Sequence, residues 1–379
     1  MLHFLLTAQI VFAAKPIPKA KIYATDTQVV TVDESVEFAI VGNTRPLIRR
    51  TDIPAGRSGG DEELRTRIIG NMSASKPDAI ILMGDIVVNG KGNTWTKTFE
   101  THPALNSNAL LPVMGDFERH GDNDNQTWNK VFPNVGYNIG LNRISTWYSF
   151  DVVSKGFKWR MIVLDSDKIG LGARWNEQIN WLHSNLMGDY DALMVFMHLP
   201  VFDLSGKQLS MNPTGVPLEL TELIEDTAPM LKLKAVVSAG GHSSQAVLPF
   251  EAFGTLFINA GGGGSPADDL RRSATGLTAN YKDDVILIPE LDEALLKRLD
   301  QQSVPDLVKD QAHARNQFSG GFSGVYLASD FPIYGWWGLR LDGGQANFSF
   351  HHALLDGKID SIFDIVYSES DGWQPTSPK

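Results

Sequence analysis

The feature that most limits this fold is a series of short apolar runs, each ending in small residues and a polar tip. They are "VEFAIVGNTRP" (36–46), "PDAIILMGDIVVNG" (77–90), "NALLPVMGDFERHGD" (108–122), "KWRMIVLDSD" (158–167), "YDALMVFMHLPVF" (190–202), "LKAVVSAGGHSS" (233–244) and "GTLFINAGGGGSP" (254–266). Apolar runs this short and continuous read as buried strands. Between them lie helical patterns. "DEELRTRIIGNMSAS" (61–75) places Leu64, Ile68 and Ile69 on one face, and "RWNEQINWLHSNL" (174–186) aligns Trp175, Ile179, Leu182 and Leu186. Strands that alternate with helices predict an α/β fold, whose sites collect at the carboxyl ends of strands. Five tips are therefore expected to converge: Asn43 with Arg45, Asp85, Asp116, His198 and His242.

Length and charge narrow the function classes. With 379 residues, 42% of them hydrophobic, the chain fits one large α/β domain over residues 30–366. It has no cysteine, which excludes disulfides, thiolate zinc sites and a cysteine nucleophile. A net charge of −11 with no basic run argues against nucleic-acid binding. Residues 1–14, "MLHFLLTAQIVFAA", read as a signal peptide and predict an exported, periplasmic or extracellular protein. Its apolar run is too short to span a bilayer, and no other stretch would do so. Residues 267–330 turn polar and helical, an insertion that flanks the site and offers a surface for a protein partner. After it, strand patterning returns, with hairpin turns at Gly343-Gly344 and Asp356-Gly357.

The five tips, in this order, resemble those of the calcineurin-like metallophosphoesterases. That family carries Asp-x-His, Gly-Asp, Gly-Asn-His-Asp/Glu, a lone His and Gly-His-x-His. The matching stretches here are "VGNTR", "MGDIVVNG", "MGDFE", "FMHLP" and "GGHSS", with "VLDS", "QINWL" and "INAGGGG" as supporting matches. The resemblance implies two stacked mixed β-sheets flanked by helices, a four-layer sandwich. It also implies two metals that share one Asp and activate a water for in-line attack on a phosphoester.

Carried over residue by residue, the resemblance splits the site in two. Asp85 matches the shared Asp, and Asp116, His198 and His242 match the other ligands of one metal. These are oxygen and nitrogen donors suited to one divalent ion, with manganese, zinc, iron and calcium not distinguished. The other metal's exclusive ligands are replaced by Asn43, Arg45 and Ser244. An arginine cannot ligate a metal, because it stays protonated. Phe117 stands where the family has the histidine that assists the leaving group, and a phenyl ring moves no proton.

Two functions follow. In one, the chain is a pseudoenzyme or very weak hydrolase that holds one metal or none, with Arg45 paired to an aspartate in the lost site. In the other, it is a phosphoesterase with one metal, in which Asn43 and Arg45 bind an anionic small ligand and Arg45 replaces the missing cation. The second needs a base, and His120 or Asp122 is nearest in sequence. Glu118 reads as a surface residue, and Asn71, Asn125 and Asn347 match the glycosylation pattern.

Overall fold

The computed structural model describes residues 16–46, 62–133, 135–138, 143–200, 220, 232–242, 244–249, 254–265, 286–288, 322–328, 334–353 and 358–376. Segment 1–14, expected to be a signal peptide, most of 267–330, expected to be an insertion, and the turn expected at Asp356-Gly357 lie outside these residues. Within the insertion's bounds the structure describes two strands, Ile286–Ile288 and Phe322–Ala328.

The described residues form two large mixed sheets. The first takes β1 (Lys21–Ile22), β3 (Val36–Val41), β4 (Ala79–Leu82), β5 (Ala109–Pro112), β16 (Gly335–Asp342), β17 (Gln345–Ala353), β18 (Ile359–Ser368) and β19 (Gly372–Thr376). Its spatial order is β1-β5-β4-β3-β16-β17-β18-β19. The second takes β2 (Gln28–Val32), β8 (Tyr148–Ser154), β9 (Phe157–Leu164), β10 (Ala192–Met197), β11 (Leu233–Ser238), β12 (Ser244–Pro249), β13 (Leu256–Ala260), β14 (Ile286–Ile288) and β15 (Phe322–Ala328). Its order is β14-β15-β12-β13-β11-β10-β9-β8-β2. A hairpin of β6 (Tyr137–Asn138) and β7 (Arg143–Ile144) stands apart. β3, β4 and β5 run parallel, as do β9, β10, β11 and β13. This brings the predicted tips to the carboxyl ends of adjacent strands.

The period of two along the strands explains why the central runs are wholly apolar. In β10, Ala192, Met194 and Phe196 join the large core that spans both sheets. Leu193, Val195 and Met197 point the other way, into a second core. That core is closed by α7 (Trp175–Leu186) through Trp175, Leu182 and Leu186, three of the four residues expected on its stripe, with Ile179 partly buried beside them. Against the large core lie α1 (Glu62–Ala74), through Ile68, Ile69 and Met72, and α2 (Gly92–Thr101), through Trp95 and Phe99. α3 (Ala104–Ser107), α4 (Asp116–Arg119), α5 (Gln126–Val131) and α6 (Lys168–Leu171) are short. The architecture is the predicted pair of stacked mixed sheets with flanking helices.

The glycosylation matches are structurally engaged. Asn71 sits within α1 with its Oδ1 accepting from Trp336 Nε1 at 2.9 Å, Asn125 is buried, and Asn347 lies in β17.

Candidate metal centre

Asp85, Asp116 and His198 come together at the strand ends. One ligand atom from each lies within 4.8 Å of the other two. His198 follows β10, and its ring is fixed from behind. Nδ1 lies 2.8 Å from the Met83 carbonyl, which turns Nε2 toward the two carboxylates. Nε2 is 3.5 Å from Asp85 Oδ1 and 3.5 Å from Asp116 Oδ1. His198 and Asp85 are buried, whereas the Asp116 side chain is 47% exposed and forms the open side of the group. Gly84 lets the strands meet this closely. It has φ 86, and a Cβ there would stand 2.6 Å from His198 Nδ1.

Charge in this group is strongly coupled. Burial, then the neighbouring Asp116 carboxylate, pushes the Asp85 carboxyl well above its ordinary range, against the pull of His198 and Arg45. Asp116 moves the other way. Burial would raise it, but the hydrogen bond and charge of His198 hold it below the usual carboxylate range. Burial also opposes the His198 cation, yet Asp85 and Asp116 outweigh it and push the imidazole up to about 9. A buried histidine and two carboxylates sharing one point are suitable donors for one divalent cation. The ion and the His198 proton would compete for Nε2.

The opposite half of the site is built differently. The Arg45 side chain is 0% exposed, and its Nε lies 3.4 Å from Asp85 Oδ2. The guanidinium sits 4.1 Å above the centre of the Phe117 ring, a cation–π contact between two of the residues that depart from the family pattern. Asn43 Nδ2 donates to the Ala239 carbonyl at 2.6 Å. An aspartate in that rotamer would face a carbonyl oxygen with no proton to give. This half therefore offers a fixed cation and an amide rather than a second set of metal ligands.

His242 lies on the turn after β11, buried, with φ 50, and is not among the three grouped ligands. Asn43 and Asp85 share its left-handed backbone, with φ 53 and 55. Such conformations are costly for residues with a Cβ and collect at functional sites. Ser244 opens β12 opposite Ala260. His120 is exposed and its ring stands 5.2 Å from the Phe117 ring. Asp122 is not placed as a base. Its carboxylate accepts from Thr127 N at 2.7 Å and Trp128 N at 2.9 Å, which secures the start of α5.

Glu118 is the functional residue that the sequence reading missed. It is buried rather than superficial, and its carboxylate holds the whole Asp85 loop. Oε2 accepts from Asp85 N at 2.9 Å and Gly115 N at 3.0 Å, and Oε1 accepts from Ile86 N at 2.8 Å and Val87 N at 3.2 Å. Burial raises its own carboxyl, while these N–H donors oppose that rise. The available signal was its spacing, three residues after Gly115, which suits a side chain that reaches back to cap a helix start.

The supporting motifs also gain physical roles. Gln178 of α7 clamps the end of β9, accepting from Asp165 N at 2.8 Å and donating to Asp165 O at 2.9 Å. Ser166 Oγ accepts from Leu199 N at 2.8 Å, directly beside His198. The Asp165 carboxylate pairs with Arg119 and so anchors the helix that carries Asp116 and Phe117.

No protein-family model matches this sequence, and no curated protein sequence does. Solved structures do match in fold. A purple acid phosphatase, PPD1, from yellow lupin (Lupinus luteus) seeds is 12% identical with a TM-score of 0.55. The match covers 89% of this chain and 54% of that one, so this chain spans about half of that enzyme's length. PhoD is 11% identical with a TM-score of 0.53, over 94% of this chain and 73% of that one. GAP50, described as the anchor in the inner membrane complex of Plasmodium, is 10% identical with a TM-score of 0.51, over 92% of this chain and 91% of that one. These likenesses show the calcineurin-like metallophosphoesterase fold.

Proposed function

With that fold as premise, we propose that this chain is an exported pseudoenzyme in which a dinuclear centre has been reduced to one metal-binding half. Asp85, Asp116 and His198, with His242 as the further ligand that the family pattern implies, would hold at most one divalent ion. Such an ion would act as a Lewis acid toward an anionic oxygen. Arg45 occupies the other half as a permanent cation. The single observation that carries this reading is the buried Arg45, ion-paired to Asp85 and stacked on Phe117. A buried arginine spent on an internal carboxylate supplies neither a nucleophile nor an open anion contact.

The fold alone does not decide between catalysis and a binding role. A purple acid phosphatase and a protein described as a membrane-complex anchor both share it. The residues at the site favour a binding or scaffolding module. Export follows from the apolar segment 1–14, and a protein partner at 267–330 follows from that segment's polar character. No helix among the described residues is long and apolar enough to cross a membrane.

A second reading rests on Asp116. Its half-exposed carboxylate leaves one side of the metal group open to a ligand. A one-metal phosphoesterase would place substrate there, with exposed His120 as the nearest candidate for proton transfer. The pure protein should be assayed on aryl phosphomonoesters and phosphodiesters with manganese, zinc, iron or calcium. We expect no turnover above that of an Asp85→Ala/His198→Ala control. Turnover well above that control would establish the second reading.

A further inference from the structure

The metal group draws on both sheets. Asp85 lies past the end of β4 and Asp116 past the end of β5, in the first sheet, whereas His198 follows β10 of the second. The 3.5 Å between His198 Nε2 and Asp116 Oδ1 is therefore a distance between sheets. It depends on how α4, which carries Asp116, is set against the second sheet. α4 is a single turn of four residues, and a helix that short does not hold itself. Its side chains must fix it. Glu118 ties it to the loop after β4, which is again the first sheet.

Arg119 makes the tie to the second sheet. Its Nη2 pairs with Asp165 Oδ2, its Nε lies 3.3 Å from Asp167 Oδ2, and its Nη1 donates to the Gly170 carbonyl at 3.4 Å. Asp165 and Asp167 follow β9, and Gly170 lies in α6. Gly170 makes room for this contact, since a Cβ there would stand 2.5 Å from Arg119 Cδ. Asp165 is a firm base. Its side chain is fully buried, its carboxylate also accepts from Thr146 Oγ1, and both its backbone groups are bonded to Gln178.

The same segment holds His198. Ser166 Oγ accepts from Leu199 N at 2.8 Å. Of two adjacent side chains, Asp165 reaches the helix of Asp116, and Ser166 reaches the residue after His198. Arg160 offers the contrast. It makes a two-point pair with Asp151, at 2.8 and 2.9 Å, but that pair joins β8 to β9 within the second sheet.

We propose that Arg119 and Asp165 are positioning residues of the metal group. They set the spacing of Asp116 from His198, and through it the affinity for a divalent ion, without touching that ion. The effect on affinity rests on the one-metal reading proposed above.

Isothermal titration of the full chain with zinc or manganese tests this. Arg119→Gln should weaken binding by about 10–100-fold, the usual effect of losing a group that orients a metal ligand. Arg119→Lys keeps the charge but not the planar fork, so its affinity should fall between those of the parent and Arg119→Gln. It decides the matter if Arg119→Gln does not fold. Arg160→Lys is the control. It gives up a comparable ion pair, so its Tm should fall while its metal affinity equals the parent's. The inference fails if folded Arg119 variants bind as tightly as the parent, or if Arg160→Lys loses as much affinity as Arg119→Lys. Crystal structures of the parent and an Arg119 variant give a reading that needs no metal. An Asp116 carboxylate displaced from His198 supports the inference, and an unmoved one overturns it. A parent that binds no metal would instead count against the one-metal reading.

Discussion

Glu118→Ala is expected to cost at least about 4 kcal/mol of stability, most of what a domain ordinarily has. The carboxylate accepts from four backbone N–H groups, those of Asp85, Ile86, Val87 and Gly115. Each buried donor left unpaired costs about 1–3 kcal/mol. The replacement also opens a void at the base of the loop. Glu118→Gln keeps one accepting oxygen and turns an amide NH2 toward the remaining donors, so about half the loss is expected. Urea unfolding measures both. A midpoint shift with an unchanged slope is the predicted pattern, and a Glu118→Ala midpoint equal to the parent's would contradict it. Asp85 would lose its position as well, so the metal group should fail in any Glu118→Ala protein that still folds.

Arg45→Met is expected to destabilise the chain by about 2–3 kcal/mol, because it removes one of the two cations beside the buried Asp85 carboxylate and leaves only His198, 3.5 Å away, to balance it. Methionine retains the volume, so a cavity is not the main cause. Arg45→Lys keeps the charge but gives up the planar contact with Phe117, and about 1 kcal/mol is expected. Replacing both partners, Arg45→Met with Asp85→Asn, should cost less than Arg45→Met alone, because no charge is then stranded. Denaturant midpoints of the three variants check the order. A loss below about 1 kcal/mol for Arg45→Met would show that the pair holds nothing together.

The strand ends were legible because each run is apolar on both faces, and only a doubly covered parallel sheet asks for that. Of the three helices packed on the cores, α1 and α7 could be read from their spacing and α2 was not, and the hairpin at Gly343-Gly344 could be read from its turn residues. The metal group was legible only in series. His198 alone looks like a core histidine, and its place after β10 is what marks it. Glu118 was misjudged because its partners Asp85, Ile86 and Val87 lie more than thirty residues away, which no local periodicity reports. Asp122 was misjudged for the opposite reason. An acid beside a site invites a chemical role, and this one is used up on the next helix. The pairing of Arg45 with Asp85 was foreseen as a way to fill the lost site. Its stacking on Phe117 was not, since two departures far apart in sequence give no sign that they touch.

The central claim is that at most one half of the centre takes a metal, because the other holds Arg45 instead. Metal stoichiometry tests it most directly. The full chain should be equilibrated with zinc or manganese, and bound metal counted per chain by elemental analysis. The account predicts no more than one ion, lost in Asp85→Ala/His198→Ala. Any binding should strengthen as pH rises through about 9, as the His198 proton that competes for Nε2 is lost. Two ions per chain, both lost with Asp85, would contradict it.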